Sequence, residues 1–429
     1  MEAVKEEPKT VEQKETVQEE PKTEEHKETV KEEKKEEGEL ILNPNEFSNK
    51  TGKELDYIKI IEQFGCRKID DELLERFAKL TDNKVHTFLR RDIFFAHRDM
   101  HTILNLHEQK KPIYLYTGRG PSTDAMHLGH LLPFIFNKWL QDVLDCPIVI
   151  QITDDEKYFY QQPKSEKFKP NDLNWFSKIA LENIKDIIAC GFNPEKTFIF
   201  MDTEYIQHLY PNICRLQRHI TYSQVKGIFG LTGSENTGKT AFPAIQAAPC
   251  MASCFPHIFG DKNKARCLIP CGIDQDPYFR MTRDIAGRLK FPKPAGIYSK
   301  FFPALQGFDK KMSSSDPNSA IFLNDTPNQI KKKINKFAFS GGQETLEEHR
   351  EKGANLNVDV PYHYLKFFLD DDEEFKRIGE EYSSGRMLTS EIKSTLITLL
   401  QKIVKDHQDA RSKVTTEVIK QFMKIRPIK

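Results

Sequence analysis

From Pro112 onward, short apolar runs alternate with amphipathic stretches. Ile113-Tyr114-Leu115-Tyr116 predicts a strand, and the spacing from Ala125 to Asp142 predicts a helix. Pro147-Ile148-Val149-Ile150-Gln151-Ile152 predicts a second strand, 172–190 a second helix, and Thr197-Phe198-Ile199-Phe200 a third strand. Strands that alternate with helices in this way form parallel βαβ units, so the expected centre is a doubly wound α/β sheet. Ahead of it, Glu54 to Leu80 has helical spacing through Ile58, Ile61, Leu73, Leu74, Phe77 and Leu80, broken near Gly65. The stretches 88–95 and 100–107 each read as strand or helix. Beyond Ser315 the strand pattern does not recur. Leu388 to His407 instead places Ile392, Leu396, Leu399, Leu400 and Ile403 on one helical face, with Thr389 or Ser390 as N-cap. The expected organisation is a polar tail over 1–38, an N-terminal extension over 39–110 packed on an α/β unit over 111–325, and a helical domain over 326–429. The last segment of that domain has the option of returning to the α/β unit.

Charge alters this picture at one end only. The chain of 429 residues balances 64 basic against 64 acidic side chains, but Met1 to Gly38 holds 14 Glu and 8 Lys with no aromatic residue. Its net charge is −6, leaving +6 on the remainder. Glu6-Glu7-Pro8-Lys9-Thr10 recurs 13 residues later as Glu19-Glu20-Pro21-Lys22-Thr23, so each copy carries a proline that interrupts helix. Such a segment cannot bury enough surface to offset its ordering entropy and is expected to be a solvated tail. It is too acidic for a mitochondrial transit peptide and lacks the apolar centre of a secretory signal, which points to the cytoplasm. No apolar run approaches the roughly 18 residues of a membrane span. Eight cysteines are too few for a disulfide scaffold. Cys250, Cys254, Cys267 and Cys271 have a zinc-like look, but Cys267-Leu268-Ile269-Pro270-Cys271 reads as a buried strand edge. Residues four apart on a strand stand about 13 Å from each other, too far to share one tetrahedral ion. No resident metal is expected.

Three segments carry candidate chemistry. Gly118-Arg119-Gly120 follows the first strand, and His127-Leu128-Gly129-His130 opens the next helix. A parallel sheet binds ligands outside the carboxyl ends of its strands, and free N–H groups at a helix N-terminus favour a phosphate. Gly129 leaves room for a nucleotide against the backbone, and His127 and His130 can face the same phosphate. Far downstream, Lys310-Lys311-Met312-Ser313-Ser314-Ser315 forms a polar loop whose lysine and hydroxyls suit a departing pyrophosphate. The third segment, Gly233 to Thr240, matches the P-loop pattern letter for letter. A P-loop needs a strand before it and a helix after it. Gly227 and Gly230 interrupt the first, and Pro243 and Pro249 are expected to break the second.

Taken together, the His-Leu-Gly-His and Lys-Met-Ser elements resemble the two signature motifs of class I aminoacyl-tRNA synthetases. Tyr116 to Gln151, Thr153-Asp154-Asp155-Glu156-Lys157, Phe242 to Pro249 and Gly272 to Arg280 are similar to the tryptophanyl branch of eukaryotic and archaeal type. The resemblance runs from about Tyr57 to Met423, and it implies a Rossmann-like parallel-sheet catalytic domain with an all-α, anticodon-binding C-terminal domain. It implies ATP as substrate with Mg²⁺, and His127, His130, Lys311 and Ser313 as catalytic residues. Gly118, Arg119, Gly120, Gly129, Asp274, Gln275 and Met312 join those four around ATP. Tyr116 and Gln151 are expected to read an indole N–H, while Thr153, Glu156, Gln246 and Gln275 hold the rest of the amino acid. Pro249 stands where tyrosine-specific relatives place an aspartate for the phenol. Ser314 replaces the second lysine of the general motif. The implied partners are tryptophan, tRNA(Trp) and a second copy in a homodimer, with neither membrane nor DNA. The rival readings are another nucleotidyltransferase with the same H-x-G-H element and a synthetase-like protein without activation chemistry.

Overall fold

The computed structural model describes residues 55–160, 172–260, 264–312 and 316–428, together with the strand backbones at 41–42 and 47–48. The 1–38 tail, Ser313 and Ser314 lie outside the described residues, as do the side chains of 309–311.

Among the described residues eleven strands run in chain order: β1 (Ile41–Leu42), β2 (Phe47–Ser48), β3 (Arg67–Lys68), β4 (Phe94–Arg98), β5 (Ile113–Arg119), β6 (Ile148–Ile152), β7 (Thr197–Met201), β8 (Arg266–Gly272), β9 (Ala295–Ser299), β10 (Pro303–Ala304) and β11 (Gly307–Lys311). Seven of them form one sheet in the order β3-β4-β9-β8-β5-β6-β7. The five strands from β9 to β7 are mutually parallel, as the alternation of strands and helices predicts. β3 and β4 add an antiparallel edge. The N-terminal extension therefore lengthens the sheet itself, through the buried run Phe94-Phe95-Ala96-His97. β8 is not at an edge: β5 and β9 flank it, and its apolar residues are covered on both faces.

Side chains alternate across a strand, so each strand supplies two cores. Leu115, Ile148, Ile150, Ile152, Ile199, Leu268 and Ile297 join one face with the helices Leu128–Leu144 and Leu173–Ala189. Tyr114, Tyr116, Val149, Phe198, Phe200 and Ile269 join the other with Asp202–His219, Thr237–Ala247 and Asp276–Leu289. The chain passes from β5 to β6 and β7 on one side and only later to β8 and β9 on the other. Its direction of growth thus reverses between β5 and β8, and a crevice opens at their carboxyl ends.

After β11 the described residues form helices and no strand. The long helix Thr389–Arg411 is capped one residue earlier than Thr389, the first of the two expected caps. Leu388 is the N-cap, and its N–H is satisfied by the Glu391 carboxylate at 2.6 Å. The Thr389 hydroxyl bonds Ser340 and Tyr382 instead. This helix is tied to the α/β unit by buried Asp186, which takes His407 Nε2 at 3.1 Å and Arg411 Nε at 2.8 Å. The final segment returns to the sheet, where Ile428 is buried in the cluster that contains Phe198 and Tyr205.

Candidate active site

The crevice between β5 and β8 holds a cavity of about 330 Å³. Gly118, Arg119, Gly120, His127, Gly129, His130, Thr153, Glu156, Gln246, Asp274, Gln275 and Met312 all line it. Residues that are up to 194 positions apart in the chain meet here: Gly118 and Arg119 end β5, His127, Gly129 and His130 open a helix, and Gln246 lies near the end of another. A side pocket of about 130 Å³ shares Gly118, Gln246 and Gln275 with the main cavity and adds Tyr116, Ile269, Cys271 and Phe279.

His127 is the N-cap of Leu128–Leu144, and its N–H meets Nδ1 of His130 at 3.4 Å. The two imidazoles stack with centroids 3.5 Å apart. A Cβ on Gly129 would stand 3.2 Å from the His127 ring and 3.4 Å from Met312 Sδ. The glycine therefore lets the histidine turn and the segment after β11 close on each other. Leu128 N–H to Ile321 O (3.0 Å) and Leu323 N–H to Met126 O (2.9 Å) hold the same pair of segments together. Pro133 continues this helix without an N–H, which removes the i+4 donor that the Gly129 carbonyl would otherwise have at the cavity wall.

Arg119 donates from Nε to Asn183 Oδ1 at 3.0 Å, while one terminal nitrogen is buried with no hydrogen-bond partner. Burial lowers its pKa to about 10, and the guanidinium stays charged at neutral pH. Gly120 admits Glu156 and Lys157, whose side-chain atoms would lie within 3.0 Å of a Cβ there. Glu156 is held by Thr153 Oγ1 at 2.7 Å and Lys157 Nζ at 3.1 Å. Gln275 Nε2 donates to Asp274 Oδ2 at 3.2 Å.

The side pocket rests on Tyr116. Its hydroxyl donates to Gln151 Oε1 and lies 2.6 Å from the Gln246 carbonyl, while Gln246 Nε2 donates back to it at 3.0 Å. Burial pushes the Tyr116 pKa well up, so the hydroxyl stays protonated. Gln151 is fully buried and sits one layer beneath Tyr116 rather than on the wall, with Nε2 donating to Asp202 Oδ1 at 2.7 Å. Pro249 is not a wall residue either. It is buried, and its carbonyl accepts from the Tyr114 hydroxyl at 3.0 Å, so the apolar end of the pocket is formed by Ile269, Cys271 and Phe279.

Lys311 ends β11 instead of lying in a loop; its side chain and Ser313 are outside the described residues. The P-loop-like segment fails its structural context. A helix, Tyr222–Phe229, precedes it, and Lys239 Nζ is engaged by Glu235 at 2.6 Å. Contrary to expectation, the following helix Thr237–Ala247 runs through Pro243, whose ring is buried against its neighbours. Buried packing here outweighs the lost N–H. This carries Gln246 to the cavity. Cys250 and Cys254 direct their thiols at the carbonyls of Ala247 and Ala248. Lys157, Tyr278, Phe279 and Lys300 also line the two cavities without having been singled out as site residues. Asp202, just past β7, was missed as well, although its place at a parallel strand end was a usable signal.

A family model described as tRNA synthetases class I (W and Y) matches residues 108–405. The cytoplasmic tryptophan–tRNA ligase of Bos taurus is 54% identical over 396 residues, 92% of this chain and 82% of that one. The tryptophanyl-tRNA synthetase structure from Plasmodium falciparum superposes with a TM-score of 0.80 at 48% identity, covering 86% of this chain and 98% of its own. That of Encephalitozoon cuniculi, bound to tryptophan, does so with a TM-score of 0.79 at 41% identity, covering 86% and 98%. With the two signature elements meeting at one crevice and this similarity along most of its length, the chain belongs to the class I tRNA synthetases, in their eukaryotic-type tryptophanyl branch.

Proposed function

We propose that the main cavity takes ATP and the side pocket takes the indole of tryptophan. The function is tryptophan–tRNA ligation: tryptophan and ATP give tryptophanyl-adenylate and pyrophosphate, and the aminoacyl group then passes to tRNA(Trp). The observation that carries the assignment of the two sites is the side pocket itself, apolar at Ile269 and Phe279 and lined by the neutral hydroxyl residue Tyr116. An indole offers one N–H donor and needs an acceptor, not a charge.

Gln246 and Gln275 line both cavities, and Glu156 and Thr153 line the main one, which suits the ammonium and carboxylate of the amino acid. The carboxylate attacks the α-phosphate in line, so positioning and charge stabilisation supply the catalysis. His127 and His130 act on the phosphates. Arg119, with its unpartnered nitrogen, adds a charged donor. Lys311 and Ser313 act on the leaving pyrophosphate. Mg²⁺ fits as an ion carried on the nucleotide, because it keeps its waters and binds phosphates readily. Among the described residues no group of three His, Cys, Asp or Glu side chains forms a dedicated cage. Residues 326–429 would meet the anticodon, and two copies would form a homodimer. The work would be done in the cytoplasm, the compartment in the name of the Bos taurus relative.

Pyrophosphate exchange with tryptophan and tyrosine tests the reading. Tryptophan should be activated and tyrosine nearly ignored, and Gln151→Leu should raise the tryptophan KM far more than the ATP KM. Comparable rates for the two amino acids would overturn the pocket assignment.

A further inference from the structure

We infer that Asp202 is a positioning residue that sets the polarity of a hydrogen-bond chain, Asp202 to Gln151 to Tyr116, and so makes the side pocket an acceptor for an N–H. The inference rests on the reading of the side pocket as the indole site, and adds what orients it.

A buried primary amide can face its surroundings in two ways, and its neighbours decide between them. Gln151 has acceptors on one side only. Its Nε2 donates to Asp202 Oδ1 at 2.7 Å and stands 3.4 Å from the Ile245 carbonyl. On the other side its Oε1 faces the Tyr116 hydroxyl. Turning the amide over would set Oε1 against a carboxyl oxygen and a carbonyl in a fully buried place, where unpaired acceptors are costly. With Oε1 held toward Tyr116, the tyrosine proton is drawn down to Gln151, where the Gln246 carbonyl shares it at 2.6 Å. Gln246 Nε2 donates to one lone pair of the phenol oxygen at 3.0 Å, and the other is left for the pocket. Ile245 alone would hold the amide weakly at its distance. Asp202 supplies the short bond.

Asp202 is suited to this because it is itself fixed. It is 1% exposed, at the first position of the helix Asp202–His219, directly after β7. β6 and β7 pair in register with Gln151 opposite Phe200. Asp155 lies against it, and burial pushes both carboxyls up, Asp155 to about 7. Asp202 Oδ2 has no hydrogen-bond partner, so Oδ1 is the oxygen that engages Gln151. Nothing in the chain here requires Asp202 to touch a substrate.

The test uses tryptophan and its analogue with sulfur in place of the indole N–H, in pyrophosphate exchange with the full chain. The wild type should prefer tryptophan by roughly 10–100-fold in kcat/KM, the worth of one well-placed buried hydrogen bond. Asp202→Leu should bring that ratio close to one, mainly through the tryptophan KM, with the ATP KM within about twofold. Asp202→Ala serves the same purpose if the leucine variant does not fold. Asp202→Asn should restore the preference, because its oxygen can still accept from Gln151 Nε2. Adding Asp202→Leu to Gln151→Leu should change the ratio no further. A purely structural role would weaken both substrates alike and leave the ratio intact. That outcome in the leucine or alanine variant, or loss of the ratio in the asparagine variant, overturns the inference. If Gln151→Leu itself spares the ratio, the indole-site reading fails instead.

Discussion

Gly129→Ala should separate stability from activity. The substitution adds one methyl group at the second position of the helix Leu128–Leu144, 3.2 and 3.3 Å from two atoms of the His127 ring and 3.4 Å from Met312 Sδ. Unstrained carbon contacts sit at about 3.5–4.0 Å, so ring and thioether must yield by a few tenths of an ångström. The ring cannot withdraw freely, because His130 is stacked on it with centroids 3.5 Å apart. A misplacement of about 1 Å in a reacting geometry can cost about 10²-fold, and a shift a fraction of that size should cost roughly tenfold in pyrophosphate exchange. The tryptophan KM should hardly move, since Tyr116 and Phe279 do not touch the new methyl. Stability should hold or rise, because alanine favours helix over glycine by up to about 1 kcal/mol, less the crowding. Urea unfolding reads the first quantity and exchange kinetics the second. Exchange within twofold of wild type would refute the claim that Gly129 is required for the approach of these two segments.

Other outcomes follow from the same geometry. Lys311→Ala should lower exchange by about 10²–10³-fold as a lost donor to transition-state charge, and Lys239→Ala by no more than a few fold; the reverse order would revive the P-loop reading. The folded-state pKa of Asp155 is raised to about 7 by burial, with Asp154 and Glu156 adding to it. The native state therefore holds that proton more tightly than the unfolded chain, and its contribution to stability is lost as pH rises from about 4 through 7. Asp155→Asn, which stays neutral, should gain stability relative to wild type between pH 5 and pH 7.5 in urea unfolding, and an equal difference at both pH values would contradict this. Removing 1–38 should leave tryptophan activation unchanged, as measured by exchange.

The order of strands and helices from Ile113 to Met201 was legible in the sequence because those strands are buried on both faces and the helices between them on one. Burial of that kind writes its period directly into the residues. The signature histidines were legible for a related reason: a turn that offers its backbone to phosphate tolerates only a few residue types, and they are adjacent in the chain. Tertiary structure decided the rest. The Phe94–Arg98 run could be strand or helix until β9 gave it an antiparallel partner. Pro243 argued against a helix that packing nevertheless carries through it. Gln151 was singled out from the sequence, but its depth beneath Tyr116, and the acceptor at Asp202 that orients it, depend on β6 and β7 lying side by side, which brings together two residues 51 positions apart. Local pattern reflects whether a position is buried. Which polar atom meets which across the sheet is fixed only when distant strands come into register.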